Sequence, residues 1–332
     1  MPGMARQMGI AALGTFHQRR GDQSLLTGNG TAAFAMGGVL GDQTLSGRSG
    51  PPPAAWGRLF GGSREQQWSA TINGIDFQIG PEIDGHIWGL QAGLDLFGFE
   101  HDDGGEERVG LFYTHSEATG DITGYTLAIP NNASGELNLS GDSVAGYWTH
   151  IGASGWYVDT VAMLTWLDGD ATSNRGIGAE LGGNVFAASL EGGYPLVLAD
   201  GWTLEPQAQV IWQHFDLDET SDPFTSIDYE SFDAFTGRIG ARLEADLQFE
   251  TMTLQPFLSV NLWHNLTATD TIVFNTTAVA IESEGTLLEL GGGISAKVTP
   301  SLSLYGEAKY GIGLDDDDAE SLGGDIGFRF QW

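Results

Sequence analysis

The chain predicts an all-β transmembrane barrel of about twelve antiparallel strands with an N-terminal α-helix in its lumen, and three observations carry the barrel. First, segments roughly ten residues long alternate with a period of two. Trp156, Val158, Thr160, Ala162, Leu164 and Trp166 share one face, against Tyr157, Asp159 and Thr165 on the other. At ~3.3 Å per residue and ~40° tilt, about ten residues cover roughly 25 Å, the height of a membrane barrel's apolar band. Second, tight turns near Asp103, Ser154, Asp200, Thr251 and Pro300 alternate with longer acidic or Thr-rich loops. A soluble sandwich or propeller has no reason to sort its connections in this way. Third, the 332 residues include 50 glycines and 10 tryptophans but no cysteine, and the only lysines are Lys297 and Lys309. No apolar run is long enough for a spanning helix, yet strands with every second residue apolar fit a mean hydropathy of -0.10.

In chain order, Met4 to Arg20 reads as a helix, with Met4, Met8, Ala12 and Phe16 recurring four apart and Gly21 as its stop. Met8 to Phe16 is too short for a signal-peptide core and lacks a small-x-small cleavage site. Leu25 to Pro53 has linker composition, ending Ser49-Gly50-Pro51-Pro52-Pro53. The expected division is therefore 1–53, helix and Gly/Ser/Pro linker, and 54–332, barrel. Ala55 to Phe60 opens the barrel, and a long polar segment follows to about Asp84. Trp88, Leu90, Ala92, Leu94 and Leu96 face outward on the second strand, with Gln91 and Asp95 inward. Arg108 to Thr119 comes next, then a loop containing Pro130-Asn131-Asn132, then a strand through Val144, Gly146 and Trp148. After Trp166, a loop over Asp168 to Gly182 precedes Asn184 to Val197. Trp202 to Trp212 repeats the two-tryptophan design, and Phe235 to Phe249, Thr253 to Asn265, Thr286 to Val298 and Ser301 to Leu314 follow. Leu322, Gly324, Ile326, Phe328, Phe330 and Trp332 form the outward face of the last strand. A charge placed at Leu164 should be costly and one at inward Thr165 far cheaper.

Charge and motif content exclude several activities. A formal charge of -31 leaves no basic surface for nucleic acid. Absent cysteine removes thiol catalysis and thiolate metal sites, and suits passage through an oxidising periplasm. No Gly-x-Ser-x-Gly elbow or His-Glu-x-x-His helix occurs. His214, Asp216, Asp218 and Glu219 read as a solvated loop margin, and Asp315-Asp316-Asp317-Asp318 lacks the spaced ligands of a calcium loop. No enzyme, cofactor or metal is expected.

The inward set is richer. It comprises Arg58, Asp95, Asp159, Glu191, Glu205, Arg238, Arg242, Glu244, Asp246, Glu307, Lys309, Asp325 and Arg329, a lumen of both signs. Six of the thirteen basic residues lie before position 65, among them Arg6, Arg19 and Arg20 on the helix. A helix of that length, about 26 Å at 1.5 Å per residue, fits the pore, where its arginines would find Asp95, Asp159, Glu191 and Glu205. The plugged barrel would be nearly closed to ions.

The segment Ala5-Arg6-Gln7 to Arg19-Arg20-Gly21, the opening Ala55-Trp56-Gly57-Arg58-Leu59-Phe60-Gly61, the Gly89 to Asp95 strand and the terminal Phe328-Arg329-Phe330-Gln331-Trp332 are jointly similar to the translocator domain of autotransporters, the self-secreting outer-membrane proteins of Gram-negative bacteria. The resemblance implies a twelve-stranded barrel with the preceding helix in its lumen, an N-terminal passenger, contact with outer-membrane lipid, and a monomer. It also implies handling by periplasmic chaperones and insertion by the barrel-assembly machinery, which would read Ile326, Phe328, Phe330 and Trp332 on the last strand. Two features depart from the family. The chain starts almost on the helix, as a fragment, excised domain or mis-started frame would, and it ends in Trp332 where the family more often ends in phenylalanine. Some members cut their passenger at an Asn-Asn pair in the lumenal helix; here Asn131-Asn132 falls in an expected external loop, so self-cleavage is not expected. The alternative is a stand-alone barrel serving as a pore or ligand-binding surface protein.

Overall fold

The computed structural model describes residues 1–20 and 52–332, except 68, 73, 74, 78–81, 127, 128, 200, 250, 251, 268, 283, 284 and 316–318. Most of the predicted linker, the Arg20 side chain and Asp316 to Asp318 lie outside the described residues.

Twelve long strands close into one antiparallel barrel. They are β1 (Ala54–Gln67), β2 (Glu82–Glu100), β3 (Glu106–Thr126), β4 (Ile129–Ile151), β5 (Tyr157–Ser173), β6 (Gly178–Gly193), β7 (Trp202–Leu217), β8 (Phe232–Ala245), β9 (Thr253–Thr267), β10 (Thr286–Thr299), β11 (Leu302–Gly313) and β12 (Glu320–Gln331). Each pairs with the next, and β12 returns to β1 in the register Ala55↔Phe330, Leu59↔Ile326 and Ser63↔Leu322. Closure leaves no free edge, which a bilayer demands because nothing in hydrocarbon satisfies an unpaired backbone group. Outward apolar side chains are exposed along the wall, among them Leu90 at 51%, Ile239 at 62% and Phe328 at 46%, while their inward neighbours Gln91, Arg238 and Arg329 are buried.

The helix is shorter than the spacing predicts. α1 covers Pro2–Leu13, and a 3-10 turn continues over Phe16–Arg20. The break falls at Gly14, whose ψ of 134° is extended, and at Thr15, whose φ of 52° is left-handed. The four-residue recurrence ending at Phe16 runs across this break and so overstates the helix.

Two expected loops are strands instead. β3 and β4 run 21 and 23 residues, and Asn132 pairs with Gly124 inside that hairpin. β5 and β6 likewise extend to Ser173 and from Gly178, leaving a turn at Gly176 with φ 73°. Beyond the lipid, backbone pairing needs no apolar face, so polar alternation there reads as loop although the ladder continues. The connections after β1, β7 and β9 form a second, six-stranded sheet from the hairpins Ser69–Ile72 with Ile75–Phe77, Thr220–Ser221 with Ser226–Tyr229, and Thr269–Phe274 with Thr277–Glu282. Asn275, with a φ of 56° that asparagine tolerates, turns the last hairpin, and its N–H donates to the Ser226 carbonyl at 2.8 Å.

Leu164 lies outward between Val144 and Phe186. Leu164→Arg should cost about 2 to 4 kcal/mol of folding free energy in bilayers, measured by denaturant titration. Thr165 is not the inexpensive control that its inward direction suggests. It is 7% exposed, bonded to Ser143 at 2.8 Å, and lines a small pocket with Ala5, Met8 and Ala12 of the helix. Ser321, which lines open lumen, supplies that control: Ser321→Arg should cost far less than Leu164→Arg.

Candidate functional site: the plugged lumen

A helix end leaves its last carbonyls without intrahelical donors. Here all four find one. Gly14 N–H donates to Ile10 at 2.7 Å, Arg58 Nη2 to Ala11 at 3.3 Å, Gln91 Nε2 to Ala12 at 2.9 Å, and Gln209 Nε2 to Leu13 at 2.9 Å. Three of these donors come from the barrel wall, so the wall completes the helix. Arg58 also sets a cation where the helix dipole is negative. Lys309 Nζ donates to Thr15 Oγ1 at 3.2 Å, and Gln213 Nε2 to the Arg6 carbonyl at 3.3 Å.

Below the break, Arg19 Nη2 donates to Asp159 Oδ1 at 3.1 Å and to Thr149 Oγ1 at 2.6 Å, while Nη1 reaches the Phe16 carbonyl at 3.0 Å. His17 Nδ1 pairs with the other Asp159 oxygen, and its ring stacks on Tyr157 at 3.4 Å. Asp159, 1% exposed, is the carboxylate that anchors the plug. Asp159→Asn leaves Arg19 buried beside a neutral amide and should destabilise the folded barrel by about 3 kcal/mol, read from a lowered denaturant midpoint.

The other predicted acidic partners bind the wall. Asp95 accepts from Arg108 at 3.0 Å and Arg329 at 2.7 Å, and pairs with the Tyr147 hydroxyl. Glu191 accepts from Arg238 at 2.9 Å and Tyr157 at 3.1 Å, and Glu205 from Gln207 at 2.7 Å. Arg238 also donates to Gln207, Gln209 and Asn261, while Arg242 pairs with Glu244 and lies 3.5 Å above the Phe257 ring. Among the described residues the inward wall therefore holds most of its own charges, and Asp159 is the carboxylate that bonds to Arg19 and His17 beyond the break. Arg6 at the opposite end is buried within electrostatic reach of Asp270 on the second sheet. Burial pushes the Asp270 carboxyl up despite the pull of Arg6.

The lumen is also more apolar than the polar inward set implies. Phe16 packs against Phe112 at 5.0 Å, Tyr147 at 5.6 Å and Trp56 at 5.7 Å, and Trp56 Nε1 donates to the Tyr147 hydroxyl at 3.0 Å. Met4, Ala5 and Met8 pack with Leu139, Val185 and Phe215. Runs apolar on both faces, Val161-Ala162-Met163-Leu164 and Val185-Phe186-Ala187-Ala188, are the sequence signal for this, since a purely water-facing lumen would break them. On the opposite flank a cavity of about 220 Å³ remains beside the helix, bordered by Arg58, Arg64, Lys309, Glu289 and Trp263.

The other residues considered from sequence are scattered. His214 points outward beside Trp212 and pairs with Asp233 at 2.9 Å, away from any cleft. Asn132 stands in the β3–β4 hairpin, and the Asn131 side chain is outside the described residues. Ile326, Phe328, Phe330 and Trp332 are exposed on the outer face of the closing strand.

A closed twelve-stranded wall with an apolar outer band, tight turns at one end and a helix bonded inside defines a plugged outer-membrane barrel. Comparison with known proteins narrows this class. The family profile described as Autotransporter beta-domain matches residues 55–309, and the chain belongs to that family. It is an outer-membrane translocator barrel. It is 25% identical over 75% of its length to Adhesin BmaC autotransporter of Brucella suis, and 26% identical over 82% of its length to BrkA autotransporter of Bordetella pertussis. The chain spans 7% and 25% of those two relatives. The transport unit of AIDA-I from Escherichia coli has the same fold, with a TM-score of 0.71 at 21% identity over 92% of this chain and 98% of that one. The beta domain of BrkA from Bordetella gives 0.61 at 23% identity, over 85% and 100%.

Proposed function

We propose that this barrel carries a passenger polypeptide, joined ahead of the helix, across the outer membrane and afterwards anchors it without enzymatic activity of its own. The observation that carries this reading is the direction of the helix. Its first turns lie within electrostatic reach of Asp270 on the second sheet, and the 3-10 turn that follows it lies by Thr149 and Asp159, next to the tight turn before Tyr157. A chain entering α1 from outside therefore threads the full height of the wall before β1 begins. In this reading the partners are outer-membrane lipid, periplasmic chaperones, the barrel-assembly machinery and the passenger itself, and the barrel works as a monomer. The relatives' greater lengths, of which this barrel matches a small share, support such an arrangement. The test places a signal sequence and an unfolded reporter ahead of Met1 in Gram-negative cells. Protease added to intact cells should remove the reporter. A reporter that is digested only after the outer membrane is opened contradicts export.

A further inference from the structure

We propose that His101, Glu107 and His150 form a binding site for a divalent transition ion of the zinc class, on the outer face of the barrel at its tight-turn end. His101 Nε2 lies 3.0 Å and His150 Nδ1 3.5 Å from the same Glu107 oxygen, and one ligand atom from each residue falls within 4.8 Å of the others. A tetrahedral zinc with bonds of about 2.0 to 2.1 Å needs its ligand atoms roughly 3.3 to 3.4 Å apart, so small side-chain rotations complete the set. Two imidazoles and one carboxylate are a donor set for zinc and its neighbours, whereas magnesium and calcium take oxygen. The remaining coordination position is left to water.

The surroundings hold these donors in place. Trp148 Nε1 donates to the second Glu107 oxygen at 3.4 Å, the outer contact that orients a ligating carboxylate. The His150 ring packs between Trp156 at 4.9 Å and Trp148 at 6.0 Å. His101 begins the β2–β3 turn, where its N–H donates to the Gly105 carbonyl at 2.8 Å and Gly104 adopts a φ of 86°. Glu106, one residue earlier than Glu107, faces inward to Arg108, so alternation delivers Glu107 to the outer surface. A bound ion would clip the first tight turn to β4 across the β3 strand between them.

The test uses untagged barrel, folded in detergent and stripped with chelator, then dialysed against zinc chloride in excess magnesium. The wild-type chain should retain one zinc, and Glu107→Gln, His101→Gln and His150→Ala should each lose it while keeping the heat-modifiable mobility of a folded barrel. Trp148→Phe should retain zinc with affinity weakened about tenfold. The proposal is overturned if the wild type retains none, or if the folded variants retain as much as the wild type. Should one variant fail to fold, the other two decide by the same comparison.

Discussion

Deleting residues 1–20 should raise the single-channel conductance of the barrel several-fold. The helix fills one flank of the lumen through Ala12, Leu13 and Phe16 against Phe112, Tyr147 and Ile211, and removing it joins that volume to the cavity beside Arg58 and Lys309. The full chain should conduct weakly rather than not at all, since the cavity already runs beside the helix. Selectivity gives a second readout. The deletion removes Arg6, Arg19 and His17 and uncovers Asp159, while Glu191 and Glu307 keep their wall partners Arg238 and Lys309, so the opened pore gains negative charge and should favour cations. Equal conductance of the two chains in planar bilayers would show that the helix does not occlude the pore.

Removing Phe330-Gln331-Trp332 should abolish folded barrel in the outer membrane. Those residues close the cylinder where Ala55 pairs with Phe330 and Ala54 with Gln331, and the Trp332 N–H donates to the Pro53 carbonyl at 3.2 Å. Without them the start of β1 has no partner on one side and presents unpaired backbone in the membrane, which costs several kcal/mol per group. Phe330 and Trp332, stacked at 6.1 Å, also supply the aromatic anchor at that end. The truncated protein should accumulate unfolded in the periplasm. Normal amounts of heat-modifiable barrel in outer-membrane fractions would refute this account of closure.

What could be read from the chain follows from what period-two alternation encodes. Lipid contact forces every second residue to be apolar, so the outward faces from Trp88 to Leu96, Trp156 to Trp166 and Ile326 to Trp332 are visible without coordinates. Alternation also names the inward residues, and Arg58, Asp159, Glu191, Arg238 and Arg329 are all buried in the lumen. It does not say which of them meet. That depends on shear and on helix position, which is why Asp95 pairs with Arg108 and Arg329 rather than with the helix. Gln91, Gln209 and Gln213 carry no charge, so a charge pattern does not single them out, yet together with Arg58 they donate to the helix carbonyls. The second sheet was present as the β-branched run Thr269 to Ile281 around Asn275, hidden because its threonines and acids resemble loop composition. The helix break was marked by Gly14, which the recurrence of Met4, Met8, Ala12 and Phe16 masked.

Inside the wall, α1 lies with its Gly9 side against β7. A Cβ added at Gly9 would meet the side chain of Gln213 before any other group outside the helix, so replacing both residues with cysteine removes that obstruction and leaves two thiols facing one another across the space it filled. The natural chain has no cysteine, which makes the pair unique. Treating Gly9→Cys/Gln213→Cys in native outer membranes with a short bifunctional thiol reagent should link the two positions within the folded barrel, detected by mass spectrometry of linked peptides, while Gly9→Cys paired with Leu190→Cys on the outer face gives no link. If the folded, heat-modifiable Gly9→Cys/Gln213→Cys protein keeps both thiols unlinked under the same treatment, the helix is not where the structure places it.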